Sequence, residues 1–119
     1  MEIEIIENIC FGLAHVESEI KWKSDLVFMI ARKMFCVVDL DSYPNSIAFK
    51  VPEEDFEELA ATSYFKPAPY FAQHSWVTLT EPNKIPIKDL QDYIRVSYEL
   101  VKGKLSKKAL LSLDENKIT

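Results

Sequence analysis

Leu26-Val27-Phe28-Met29-Ile30-Ala31-Arg32-Lys33-Met34-Phe35-Cys36-Val37-Val38 holds two apolar runs separated by a pair of basic residues. Each run is too short for a helix and too apolar for a solvated sheet face. Both therefore read as central strands covered on both sides or nearly so. Lying so close together, they pair as a hairpin. Two-residue hairpin turns need positive φ and usually carry Gly, Asn or Asp. The connection Arg32-Lys33 thus predicts either a non-glycine residue in the left-handed region near Arg32 or a longer loop.

On the N-terminal side, Ile3, Ile6, Cys10 and Leu13 recur at helical spacing over residues 2–13, with Glu2, Glu4 and Glu7 where the helix dipole favours negative charge. This helix should end near Phe11-Gly12. Residues 15–23 alternate imperfectly and suggest a half-exposed edge strand. On the C-terminal side, the turn-rich 39–46 leads into an alternating strand at Ile47-Ala48-Phe49-Lys50-Val51, completing a four-stranded antiparallel meander. Pro52 followed by acids opens a second, two-turn helix through Ala60. Pro67 and Pro69 exclude a helix and make Lys66 to Phe71 extended. Trp76-Val77-Thr78-Leu79-Thr80 reads as a last strand. From Ile87 onward, Ile87, Leu90, Ile94, Val101 and Leu105 share a face of the longest helix, with one or two further turns before a tail fraying from about residue 112. The fold class is α+β: an antiparallel sheet packed with helices, in the order helix, three or four strands, helix, two strands, helix.

With 119 residues and 48% apolar content, the chain suits one domain over 1–119. No apolar run reaches membrane-spanning length, and the opening Met1-Glu2-Ile3-Glu4 is acidic where a secretory signal would be basic. Cys10 and Cys36 lack ligand-like spacing and read as buried free thiols, so a cytoplasmic location is expected. The net charge of −5 conceals an asymmetry: residues 1–60 carry 5 basic and 13 acidic side chains, and residues 61–119 carry 9 and 6. Overall acidity argues against an indiscriminate polyanion binder and leaves room for a local basic face.

Several of these segments together resemble the YjbR family, also called MmcQ/YjbR, over nearly the whole length. They are Cys10-x-x-Leu13, Lys33-Met34-Phe35-x-x-Val38-Asp39-Leu40-Asp41, Lys66-Pro67-Ala68-Pro69-Tyr70, His74-x-Trp76-Val77-x-Leu79, Ser97-Tyr98-Glu99-Leu100-Val101 and Leu105-Ser106-Lys107-Lys108. The resemblance implies an α+β sandwich of the secretion-chaperone type. It also implies a small cytoplasmic protein of a group commonly labelled DNA-binding with a double-wing shape. The chain departs from the family pattern where glycines usually follow the early-strand tryptophan and occupy the central hairpin turn: here stand Trp22-Lys23 and Ala31-Arg32-Lys33.

The chemically dense stretch is Lys66 to Thr80. If His74 and Trp76 share a strand face, they and Tyr70 offer a surface on which bases stack, worth about 1–3 kcal/mol per base. The alternative is that the aromatics are packing residues and His74 bonds to backbone. Lys66, Lys102, Lys104, Lys107 and Lys108, with Arg32 and Lys33 at the hairpin tip, are the candidate phosphate contacts, although lysines late in a helix are also what the dipole favours. The stripe Glu53, Glu54, Glu57 and Glu58 and the pair Asp39 and Asp41 lack the convergence a hard-ion site needs. No catalytic residue, metal site or cofactor is expected. His15 and His74 have no motif-grade partner, and two glycines are too few for a phosphate loop. Two functions follow as expectations: binding of DNA or another nucleic acid, or a protein-interaction or chaperone-like adaptor. In either case the chain would be a monomer or weak homodimer with no membrane partner.

Overall fold

The computed structural model describes residues 3–69 and 71–118. A helix, α1 (Ile3–Phe11), precedes four strands, β1 (Val16–Lys21), β2 (Asp25–Ile30), β3 (Lys33–Asp39) and β4 (Ile47–Lys50). A 3₁₀ turn leads into the short helix α2 (Phe56–Ala60). Two further strands, β5 (Phe65–Pro67) and β6 (Trp76–Leu79), are followed by α3 (Ile87–Lys102) and α4 (Lys107–Ile118). The six strands form one antiparallel sheet in the order β1-β2-β3-β4-β6-β5. β5 is thus an outer strand, and the chain doubles back through β6 to reach β4.

Register assigns the faces, because residues directly opposite one another point to the same side. Phe28, Cys36, Phe49 and Val77 lie in one row across the sheet. All four are buried in the core with Ile6 and Cys10 of α1 and Leu90, Ile94 and Tyr98 of α3. Burying each large apolar side chain contributes about 1.5–3 kcal/mol. The longest helix sits as expected, with Leu90 and Ile94 of the predicted stripe in the core and Val101 and Leu105 packed against it. Ile87, its first residue, is exposed, whereas Ser97 and Tyr98 are buried. The Tyr98 hydroxyl donates to the Ala14 carbonyl at 2.7 Å, tying α3 to the turn after α1. Cys10 and Cys36 are buried and free, and the neighbouring Cys36 thiol, with burial, pushes the Cys10 thiol far up.

The central hairpin forms with a two-residue turn. Ala31 and Arg32 both lie in the left-handed region, with φ of 49° and 65°. Trp22 and Lys23 do the same at 49° and 78°. The two places where the family resemblance calls for glycine therefore keep left-handed backbone without it. In β3, Cys36 faces Phe28 while Met34 faces Met29, which leaves Phe35 as an extra, bulged residue.

Three expectations are corrected. The extended segment predicted from Lys66 to Phe71 is a strand only as far as Pro67; beyond it the chain turns, and Ala72–His74 is a 3₁₀ turn. Pro67 and Pro69 restrict φ but supply no ladder donors, so extended geometry here need not be strand. His74 therefore does not share a strand with Trp76. Between them Ser75 takes φ 64°, which reverses the chain. Finally, α4 runs three turns to Ile118 rather than one or two. No helix among the described residues is long and apolar enough to cross a membrane.

Candidate functional site

The segment Ala68–Ser75 closes on itself. The Ala68 amide donates to the Trp76 carbonyl at 3.0 Å, the Trp76 amide donates to the Phe71 carbonyl at 3.3 Å, and the Val51 amide donates to the Ser75 carbonyl at 2.9 Å. This brings Phe71 against Trp76, with ring centroids 5.7 Å apart. Trp76 is 5% exposed and packed, so it presents no free ring for stacking. Tyr70 lies outside the described residues.

Beside this loop is a cleft of about 670 Å³ where the hairpin tip, β4, the 71–76 segment and the junction of α3 with α4 meet. Lys33, Lys50, His74 and Lys104 supply its charged and titratable lining, and the described lining residues include no carboxylate. Lys50 donates from Nζ to the His74 carbonyl at 3.0 Å. Its ammonium is held below the usual lysine range, first by burial and then by the neighbouring Lys104. Glu53 acts on the Lys50 ammonium in the opposite sense, so the cleft's positive charge is only partly offset by a carboxylate outside its lining. At the cleft's outer edge Ser106 Oγ accepts from the Ala109 amide at 3.1 Å, in the first turn of α4.

Of the residues singled out from sequence, Lys33, His74, Trp76 and Lys104 line this cleft. His74 is exposed, and its ring Nε2 lies 3.4 Å from Gln73 Nε2. Arg32 is exposed but engaged: its guanidinium donates to Glu17 at 3.2 Å and to Glu19 at 3.2 and 3.3 Å. The hairpin tip is consequently less basic than its sequence. Lys102 lies over the Tyr98 ring at 5.8 Å, and Lys107 and Lys108 are exposed at the start of α4, outside the cleft lining. Lys66 lines a different cavity on the sheet face without helices. Lys50 is the residue that sequence reasoning missed. The alternation in β4, with Ile47 and Phe49 inward, would have put Lys50 on the opposite face, but nothing in sequence brings it to Lys104.

Asp39 finishes a strand, as its sequence context suggested: its Oδ1 accepts the Asp41 amide at 2.9 Å. Among the described residues no group of three or more His, Cys, Asp or Glu side chains is disposed to hold a metal ion.

Fold and site together define a small α+β protein whose single six-stranded sheet carries helices on one face and a lysine-lined cleft at one end. The chain belongs to the YjbR family, whose model matches residues 11–100. It is similar in structure to the Deinococcus radiodurans protein DR2400, which carries the DUF419 domain: the TM-score is 0.83 at 25% identity, over 94% of this chain and 87% of that one. A Pseudomonas syringae protein shares the fold with a TM-score of 0.70 at 16% identity, over 85% of this chain and 99% of that one. No curated protein matches the chain.

Proposed function

We propose that this YjbR-family chain is a non-catalytic nucleic-acid-binding protein that contacts the phosphate backbone through the cleft formed by Lys33, Lys50 and Lys104. The observation that carries the reading is the convergence of three lysines from distant parts of the chain on one concavity, with no carboxylate among its described lining residues. Relief of the repulsion between Lys50 and Lys104 by a bound phosphate supplies a driving force that scattered surface lysines lack. Because Trp76 is packed away, the contact is to phosphate and not through base stacking, so little sequence preference follows. The double-wing label of the family places such contacts at hairpin tips. Here the pairing of Arg32 with Glu17 and Glu19 favours the cleft over the tip as the main contact.

Fluorescence anisotropy with a labelled duplex and a labelled single strand, each at two salt concentrations, tests this. Binding should weaken with salt, by about 0.9 in log affinity per log salt for each duplex phosphate neutralised. The double variant Lys50→Ala, Lys104→Ala should lose most of the affinity. Absence of binding by the unaltered chain at low salt would overturn the reading.

A further inference from the structure

We infer that the cavity on the helix-free face of the sheet is a binding site for a small organic primary ammonium with an apolar body, its head held between Asp25 and Asp39. This goes beyond the nucleic-acid reading and does not depend on it, since the cavity is separate from the lysine cleft and shares with it only the wall made by Phe71.

The cavity has a volume of about 530 Å³, within the roughly 300–1,000 Å³ range of small-molecule sites. Its floor follows from register. Val37, Ala48 and Thr78 stand in one row on this face, and all three are small, so the sheet is hollow where bulkier side chains would have filled it. Pro69 and Phe71 form one wall and Trp22 the other. Trp22 is 58% exposed, an unusual placement for the largest apolar side chain, and its ring already draws the Lys21 ammonium to 5.9 Å from its centroid.

The two ends of the cavity differ in charge. Asp25 and Asp39 are directly opposite each other on neighbouring strands, a like-charged cross-strand pair that destabilises the sheet. Neither belongs to an ion pair among the described residues: Lys21, the nearest cation in register, is bonded instead to Glu19 at 3.2 Å. Burial, then Asp39 and Asp41, push the Asp25 carboxyl up, in agreement with an uncompensated pair. At the far end stands Lys66 on β5, four strand spacings from Asp25, about 19 Å between strand axes. A cationic head is attracted to the aspartates and repelled by Lys66, which fixes one orientation. The apolar floor then receives the body of the molecule.

The test is a titration of the whole ¹⁵N-labelled chain with three probes of one shape: phenethylamine, 2-phenylethanol and 3-phenylpropionate. The amine should give saturable shifts centred on the Val37, Ala48 and Thr78 amides, with affinity about tenfold or more above the alcohol, equivalent to about 1.4 kcal/mol. The acid should not bind there. Asp39→Asn keeps an oxygen to accept the Asp41 amide, and Asp25→Asn removes the like-charge pair, so both variants should fold and both should weaken the amine by a similar factor. Ala48→Leu, which fills the floor and leaves the charges alone, should also abolish the shifts. Equal binding of amine and alcohol, shifts centred elsewhere, no saturable shift at millimolar amine, or undiminished binding by the Asn variants would each overturn the proposal.

Discussion

Ser97 Oγ lies 2.6 Å from the Phe35 carbonyl oxygen and donates to it, while the Lys50 amide donates to the same hydroxyl at 2.9 Å. The β3–β4 pairing ends at Cys36 and Phe49, and just beyond it a buried serine on α3 bridges the Phe35 carbonyl of β3 and the Lys50 amide of β4. Ser97→Ala would orphan a buried acceptor and a buried donor, each worth about 1–3 kcal/mol. Urea unfolding should therefore show a loss of about 2–4 kcal/mol for Ser97→Ala, larger than for Ser106→Ala on the exposed α4. Equal losses would show that the hydroxyl does not bridge the two strands.

Arg32 is held by Glu17 and Glu19, both on the outer strand. The Glu19 carboxyl is kept below its usual range, first by Lys21 and then by Arg32. A depressed carboxyl contributes above its unfolded pKa, and the contribution is lost as pH falls through the folded value. Glu17→Gln with Glu19→Gln should free Arg32 and strengthen oligonucleotide binding at pH 7. Stability should change little, as befits exposed pairs. Anisotropy and thermal melts on the same variant separate the two effects.

The depressed Lys50 ammonium reports on Lys104. In Lys104→Met the Lys50 titration, followed by NMR at its side-chain carbon, should move up towards the ordinary lysine value. Burial remains, so the return should be partial. No movement would mean that burial alone sets the shift and that the two lysines are not electrostatically paired.

Asp25 is raised, chiefly by burial and then by Asp39 and Asp41. At neutral pH the folded state carries the whole penalty of the ionised group. As pH falls through the folded pKa the native chain takes up the proton before the unfolded one, and the penalty fades. Asp25→Asn should therefore stabilise the protein at pH 7, with the gain shrinking under mild acid. Denaturation midpoints at the two pH values check the sign.

Ala31 occupies left-handed backbone at φ 49° without being glycine. Such a conformation costs an L-residue about 1–2 kcal/mol, while glycine adds about 0.5–1 kcal/mol of unfolded-state freedom. Ala31→Gly should leave a net gain of up to about 1 kcal/mol, whereas Ala31→Val should lose stability. Both are readable from chemical denaturation.

The long helix was legible from the helical spacing of Leu90, Ile94, Val101 and Leu105, and the central strands from apolar runs too short for helices. Even the strained hairpin turn could be foreseen, since Arg32-Lys33 left no glycine to carry positive φ. Three features were not legible. Ser97 looks like a neutral helix residue until β3 and β4 lie side by side for it to bridge. Trp76 alternates correctly, but alternation does not say that Phe71 will fold over it. The lysine cleft is assembled from positions 33, 50 and 104, which only the completed topology brings together. Of the four lysines at 102, 104, 107 and 108, only Lys104 enters the cleft.

The sheet ends in β1 on one side and β5 on the other. An open edge is a template on which strands of other molecules can grow. β1 carries Glu17, Glu19 and Lys21 along its length, and β5 is three residues long and ends in Pro67, which has no amide to donate. Each border is thus unsuited to accept another strand, one by charge and the other by brevity and a missing donor. A protein with so continuous an apolar hairpin at its centre is in this way protected from fibrous self-association at both flanks.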